Sequence, residues 1–374
     1  MRVLHVVPTL FDEKEGILGG AERYAWELAK AMSNRVDTTL LSFGLRDREE
    51  RAGSLRVRIL GKPWKVRGSQ FNPFSLRVAP ELLRADVVHC HQQHVLVSSV
   101  SALVSRLTGR RVFATELGGG GWDFSSYTST DRWFHGHLHI SEFSKRVFGH
   151  ADFARARVIL TGVDTDKFSP QPSMARTGGI LFVGRLLPHK GIDRVLEALP
   201  ADLSMDIVGQ PYAPEYMGVL RQLAAGKQVT FHHDFDDARL LEAYRRARCV
   251  VLPSLYKDRY GNETKIPELM GQSLLEGMAC GVPAICTDVA AMPESVMDGV
   301  TGFVVPPGDL EAMRRALVEL SRNGTRATAM GVAARQRMVE HFGWPAVVQR
   351  CLEAYDELSA PVVAPGAMTP SHKV

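Results

Sequence analysis

Two glutamates and two cations are the residues whose types and spacing invite a chemical reading. In "PELMGQSLLEGMACGVP", residues 267 to 283, Glu268 and Glu276 stand with seven residues between them. Gly271, Gln272 and Ser273 lie in the gap and open a run that reads as helix through about Ala279. A helix start presents unpaired amides, which suit a phosphate. Glu276, two turns in, has the reach and acceptor geometry for both hydroxyls of a ribose. Glu268, outside the helix, is placed to meet the hydroxyls of a sugar beyond the phosphates. Upstream, in "ILFVGRLLPHKGIDRVLEAL", a strand ends at Gly184, Arg185 comes directly after it, and Lys190 and Gly191 precede the next helix. Two fixed cations and a helix start after one strand suit a diphosphate, the alternative being a solvated basic loop. Gly19 and Gly20 in "LGGAERYAWELAK" allow close backbone approach to an anion at another helix start. They read equally as a plain turn that begins a helix, and they do not form a G-x-G-x-x-G fingerprint.

The elements that must position these residues alternate. "RVLHVV", "TTLLSF", "DVVHCH", "RVFAT", "LHIS" and "RVIL" read as strands in the first half. "ILFVG", "MDIVG", "VTFH", "CVVLPS", "PAICT" and "GFVV" do so in the second. Amphipathic segments separate many of them, such as Ala21, Ala25, Leu28 and Met32, or Leu240, Leu241 and Tyr244. Such alternation predicts an α/β fold with parallel sheets covered on both faces. The rhythm breaks over residues 167–179, rich in Pro, Ser and Gly, which gives two Rossmann-like halves. Ligands of such sheets sit beyond the carboxyl ends of the strands, so the two halves are expected to face a common cleft.

Composition excludes little. The chain has 374 residues, 45% apolar and 23% charged, with a formal net charge of +4. That length suits two domains, and that charge is too mild to indicate nucleic acid. Five scattered cysteines without a C-x-x-C pair read as buried thiols in a reducing compartment. No apolar run reaches the roughly 18 residues of a membrane span, and the N-terminal run lacks a cleavage site. A cytoplasmic protein is the expectation. "KPWKVRGSQF" mixes basic and aromatic residues, compatible with a weak peripheral contact to anionic lipid or with a loop over a soluble acceptor. In "HCHQQH", His89 and His91 are expected on opposite strand faces, one in the core and one toward the cleft, rather than as a metal site. Trp122, Tyr127, Trp133 and Phe134 line either the acceptor side or the core.

Taken together, these segments resemble the retaining glycosyltransferases of sequence family 4, with the two-domain GT-B fold. The likeness covers nearly the whole chain, including "GGAERYAWELAKAM", "HISEFSKRVF", "TGVDTDKF", "MPESVMDGVTGFVVPPGD" and a final helix. It implies an acceptor-binding domain at 1–168 and a nucleotide-sugar-binding domain at 179–342. A helix at 343–359 would cross back to the first domain, with a disordered tail at 360–374. Arg185 and Lys190 would bind the donor diphosphate, with Glu268 on the sugar and Glu276 on the ribose. Gly184 and the amides from Gly271 through Gln272 and Ser273 to Leu274 would cover donor phosphates and sugar, with Gly19 and Gly20 approaching from the other domain. The resemblance further implies hexosyl transfer from a nucleotide-diphosphate sugar, first of all a UDP-sugar, to a hydroxyl acceptor by a front-face mechanism without a metal or other cofactor. A polar sugar, cyclitol or natural product is the expected acceptor, and a lipid-linked or phospholipid acceptor the alternative. A sugar-nucleotide epimerase, a phosphorylase, a nicotinamide enzyme and a silent carbohydrate-binding protein are the rival readings. The chain departs from the family at Thr161, where Asn is usual. It also carries Glu116, Leu117 and then Gly118 to Gly121 where many members have a histidine. His91 or Glu116 is the expected replacement, beside Gly118 and Trp122. Asp164 and Asp166 in "DTD" look like a metal motif of another fold, but their place in a connector argues against that role.

Overall fold

The computed structural model describes residues 1–10, 19–118, 121–171, 173, 174 and 176–359. Gly119, Gly120 and the tail at 360–374 lie outside these. Two sheets dominate. The first has eight strands in the order Ala156–Val158, Gly136–His139, Arg111–Thr115, Val87–His91, Arg2–Leu10, Asp37–Gly44, Leu55–Gly61 and Arg48–Ala52. All neighbours run parallel except the last pair. The second has six strands, all parallel, in the order Gln228–His232, Ser204–Val208, Ile180–Val183, Cys249–Leu252, Ala284–Thr287 and Gly302–Val305. Both are Rossmann-like. Their central strands are buried on both faces because helices cover both, as in "VVHCH" and "CVVL", where every residue is buried.

The helix Gly20–Met32 buries Tyr24, Ala25, Leu28, Ala29 and Met32 against the first sheet. The last helix, Trp344–Glu357, packs on the same face. Its Trp344, Val347, Val348, Cys351 and Tyr355 share one core with Val3, Leu28, Phe113 and Leu138. Val163, ahead of the Pro/Ser/Gly-rich stretch, and Phe168, at its start, already pack into the second core. All five cysteines are buried and free. No helix among the described residues is long and apolar enough to cross a membrane.

The reading of His89 and His91 needs correction. A strand has period two, so residues i and i+2 share a face. Their rings stack at 4.5 Å, and His5 Nδ1 lies 2.8 Å from His91 Nε2. His89 Nδ1 meets the Tyr355 hydroxyl of the last helix at 2.7 Å, and Thr115 Oγ1 lies 2.7 Å from His89 Nε2. All three histidines are core residues, and His91 does not face the cleft. His137 and His139 are buried on the opposite face.

Burial holds these imidazoles neutral. His5 is pushed down to about 3, His139 to about 3 and His137 to about 4. His89 and His91 fall well below the ordinary value of 6.5, with neighbouring imidazoles adding to the effect. In the unfolded chain each takes up a proton near pH 6.5, and in the native state it does not. Their stabilising contribution is therefore complete above about pH 6.5 and is lost as pH falls below it, down to about 3–4 for His5, His137 and His139. All five tryptophans (Trp26, Trp64, Trp122, Trp133 and Trp344) lie in the first domain or the helix packed on it. Urea unfolding monitored by tryptophan fluorescence should show a midpoint that drops steeply from pH 7 to pH 5. An unchanged midpoint would contradict the neutral-histidine core.

Candidate active site

The second sheet brings the predicted residues together by its strand order. Ile180–Val183 and Cys249–Leu252 are neighbours, so the loops leaving their carboxyl ends meet at one edge of the cleft. After the first strand come Gly184 and Arg185, which is exposed, and a 3-10 turn, Pro188–Lys190. Gly191 then starts the helix Ile192–Ala198 with φ 66°, and a Cβ there would fall 2.1 Å from the Pro253 carbonyl oxygen. Only glycine fits both conditions. The contact seats the turn on the end of the neighbouring strand, where Leu255 N donates to His189 O at 2.8 Å.

Lys190 is thereby placed against the loop from the other strand. Its ammonium pairs with the Glu268 carboxylate and donates to Pro267 O at 3.4 Å. Arg185 is exposed, whereas Lys190 is buried at 8% exposure, which sets it apart from a solvated basic loop. His189, half-buried, is held below the usual imidazole range by burial first and by Lys190 second.

Gly271 precedes the helix Gln272–Ala279. The Leu274 amide donates to Gly271 O at 2.9 Å, so it is spent within the helix and is not open to a phosphate. The amides of Gln272 and Ser273 head the helix ahead of that bond. Four residues on, Glu276 is buried, at 4% exposure. Its Oε2 accepts from the Tyr244 hydroxyl at 2.9 Å, and Arg23 Nη2 from the first domain lies 3.9 Å from Oε1. Burial raises the Glu276 carboxyl above its ordinary range, while Arg23 and the Tyr244 hydroxyl pull it back.

The first domain closes on the gap between the glutamates. Gly20 faces the Met270 methyl. At Gly118 a Cβ would stand 2.9 Å from Leu269 Cδ1, and its φ of 77° favours glycine there. Glu116 is no free replacement for a histidine: its oxygens accept from Gln93 N and Gly118 N, each at 2.9 Å, and it is buried. Trp122 is half-buried, with the Arg67 guanidinium 3.1 Å above its ring. Asp164 Oδ1 accepts from Asp166 N at 3.0 Å and Lys167 N at 2.9 Å, which makes it a turn former. Reading the sequence missed Arg23, Leu269, Met270 and Glu294. It took Tyr244 for an apolar helix position, since a hydroxyl aimed at a residue 32 positions away leaves no local signal. Glu294 accepts from Glu142 N and Phe143 N at 2.7 Å each, which ties the domains together.

Comparison with known proteins places the chain among glycosyltransferases. The family model "Glycosyltransferase Family 4" matches residues 18–167, and "Glycosyl transferases group 1" matches residues 166–337. A GDP-mannose-dependent alpha-(1-6)-phosphatidylinositol monomannoside mannosyltransferase of Mycolicibacterium smegmatis is 32% identical over 200 residues, 49% of this chain and 51% of that protein. A D-inositol 3-phosphate glycosyltransferase of Kribbella flavida is 32% identical over 231 residues, 54% of this chain and 51% of that protein. The matches thus span about half the length of these curated relatives. Among solved structures, a glycosyltransferase from Rickettsia africae superposes with TM-score 0.71 at 20% identity, covering 96% of this chain and 98% of that one. Anabaena HepE in complex with UDP gives 0.70 at 17% identity, covering 96% and 100%. At these identities the structural likeness establishes the two-domain GT-B fold.

The Lys190–Glu268 pair sets a stability test. Removing one partner leaves the other charge half-buried and uncompensated, which costs up to about 3–5 kcal/mol. Lys190→Met should therefore destabilise the chain in chemical denaturation. The double variant Lys190→Met with Glu268→Gln should recover most of that loss. A double variant as unstable as the single would mean the two side chains do not compensate each other.

Proposed function

Because the chain belongs to the family 4 glycosyltransferases, we propose that it transfers a hexosyl group, with retention, from a nucleotide-diphosphate sugar to a hydroxyl acceptor. The observation that carries this reading is the pairing of Lys190 with Glu268 beyond the ends of the neighbouring strands Ile180–Val183 and Cys249–Leu252, whose following segments also carry Arg185 and the start of the helix Gln272–Ala279. A cation pair and a helix start fit a diphosphate, and carboxylates on either side fit the hydroxyls of sugar and ribose.

In this mechanism the bond from the anomeric carbon to the diphosphate oxygen breaks, and the diphosphate takes the electron pair. Arg185, Lys190 and the amides of Gln272 and Ser273 stabilise the charge that develops there, a preorganised electrostatic effect. The acceptor oxygen bonds to the anomeric carbon on the face the diphosphate leaves, and its proton passes to a diphosphate oxygen. No carboxylate nucleophile beneath the sugar is needed, unlike in a retaining hydrolase. Lys190 changes partner on donor binding, from Glu268 toward the diphosphate, and Glu268 is released to the sugar. Glu276 holds the ribose, steadied by Tyr244.

UDP-hexoses are the donors of first choice, and GDP-mannose is the second because a relative is named for it. Two relatives are named for inositol-containing acceptors, which supports a cyclitol among the polar acceptors. The protein should be incubated with each donor, with and without inositol and phosphatidylinositol. Product mass and anomeric configuration are then read by mass spectrometry and NMR. Transfer with retained configuration supports the proposal. Epimerised donor, or sugar phosphate formed only with added phosphate, would favour the rival activities, and no turnover of any donor would remove the reading.

The two glutamates should fail differently. The ribose is bound alike in ground and transition states, so Glu276→Gln should mainly raise KM and weaken UDP binding. The sugar changes shape and charge as the bond breaks, so Glu268→Gln should mainly lower kcat with UDP affinity nearly unchanged. Equal loss of UDP affinity in both variants, read by calorimetry, would collapse the division. Turnover should also persist in excess EDTA, since side chains and amides supply the positive charge. Loss of activity that Mg²⁺ or Mn²⁺ restores would contradict that.

A further inference from the structure

Residues 45–84 carry ten basic and four acidic side chains, a larger excess than the whole chain's net +4. The same segment exposes Leu45, Trp64, Phe71 and Leu76, at 71%, 62%, 59% and 77%. Its backbone draws them together. Trp64–Lys65 and Pro73–Phe74 form a small antiparallel pair. Lys62 N donates to Gly44 O at 3.0 Å, and Asp47 Oδ1 accepts from Gly61 N at 3.1 Å and pairs with Arg77 at 2.9 Å. The 44–47 turn, the hairpin and the turn Leu76–Val78 therefore make one surface.

The acids of the segment are engaged: Asp47 with Arg77, Glu49 with Arg56 and Arg58, Glu50 with Arg48, Glu81 with Arg56 and Arg84. Among the described residues, exposed Lys62, Lys65 and Arg67 have no carboxylate partner. Lys62 and Arg67 have φ of 53° and 51°, a conformation unfavourable for side chains other than glycine. That strain brackets the exposed Trp64–Lys65 pair, and such outliers persist where the surroundings hold them for a purpose.

Placement adds the second argument. The strands Asp37–Gly44 and Leu55–Gly61 end at this surface, and they run parallel to Val87–His91 and Arg111–Thr115, whose ends carry the acceptor-side loops. The hairpin is joined to that loop: Arg67 stacks on Trp122, and Asn72 Nδ2 donates to Trp122 O at 2.7 Å.

We propose that this hairpin face docks the protein on an anionic lipid bilayer, with Trp64, Phe71 and Leu76 entering the headgroup boundary and Lys62 and Lys65 meeting acidic headgroups. Aromatic and aliphatic tips beside exposed lysines without a carboxylate partner match such an interface in both chemistry and charge. Where the transferase reading also holds, docking presents the acceptor-side loop to hydroxyls at the membrane surface.

The test uses the full chain and sonicated vesicles, without donor. The protein should sediment with vesicles containing phosphatidylglycerol, much less with pure phosphatidylcholine, and less in high salt. Trp64→Ser/Phe71→Ser/Leu76→Ser and Lys62→Glu/Lys65→Glu should each lower partitioning about tenfold or more. Arg314→Glu/Arg315→Glu, on the exposed face of the helix Leu310–Arg322, should not. Circular dichroism and hydrolysis of soluble donor should stay unchanged in all three, which keeps this outcome separate from the fate of the transferase reading. A wild type that stays in solution with acidic vesicles, or hairpin variants that sediment like it, would overturn the proposal.

Discussion

The carboxylate of Glu294 accepts two amide hydrogen bonds from the start of the helix Glu142–Val147, and the geometry of the cleft hangs on that contact. Glu294 comes after the strand Ala284–Thr287 of the second sheet, and the helix comes after Gly136–His139 of the first. Each partner lies just past the carboxyl end of its own strand. Joining them turns those ends of the two sheets toward each other. A charged acceptor on backbone donors is among the stronger hydrogen bonds, and here it also meets the unpaired amides of a helix start. The last helix is the second tie. It enters the first core through Trp344, Val347 and Tyr355, and the Tyr355 hydroxyl reaches His89 in the middle of the sheet.

Held in this arrangement, the cleft balances its own charges. Lys190 is neutralised by Glu268, and Glu276 by Arg23 and the Tyr244 hydroxyl. A bare cation beside a helix start would be costly to bury, and so would a bare carboxylate beneath it. Each internal partner therefore occupies the place the proposed donor would take. On the proposed function, donor binding would be an exchange of partners, diphosphate for carboxylate at Lys190 and ribose hydroxyls at Glu276. Such exchange keeps desolvation small, because the groups are already out of water.

Much of this was legible in the chain, and the limits have physical causes. The alternation of strands and helices was readable because apolar period is a local property, and the helix at Gln272 because its opening residues are adjacent. Lys190 and Glu268 each stand out by type and position, but their mutual contact spans 78 positions and depends on which strands are neighbours. Glu116 looks available because a carboxylate after a strand resembles a ligand; only the fold shows two amides already bonded to it. His89 and His91 share one face because a two-residue step along a strand returns to the same side, so the expectation of opposite faces fails on the strand's own period. The exposed hairpin is visible in the sequence only as a basic and aromatic stretch. A search for amphipathic helices has no hold on a surface built from two short strands and two turns.

The residues between the two glutamates complete the logic of the site. Leu269 and Met270 belong in sequence to the second domain, yet they pack against the core of the first, beside Gly118 and Gly20. Gly271, next in line, already heads a helix whose Leu274 and Leu275 lie in the second core. The chain thus crosses from one core to the other within a single residue step. Glu268 is anchored from the first domain by its apolar neighbours and from the second by Lys190. If the domains part, Leu269 and Met270 lose their seat, and the position of Glu268 is no longer fixed from both sides. Glu276, inside the helix, keeps its place relative to the helix start in either state, whereas Glu268 is held from both sides only while Leu269 and Met270 keep their seat. Placement of Glu268 and packing of the two domains are thereby linked, because the same apolar pair serves both.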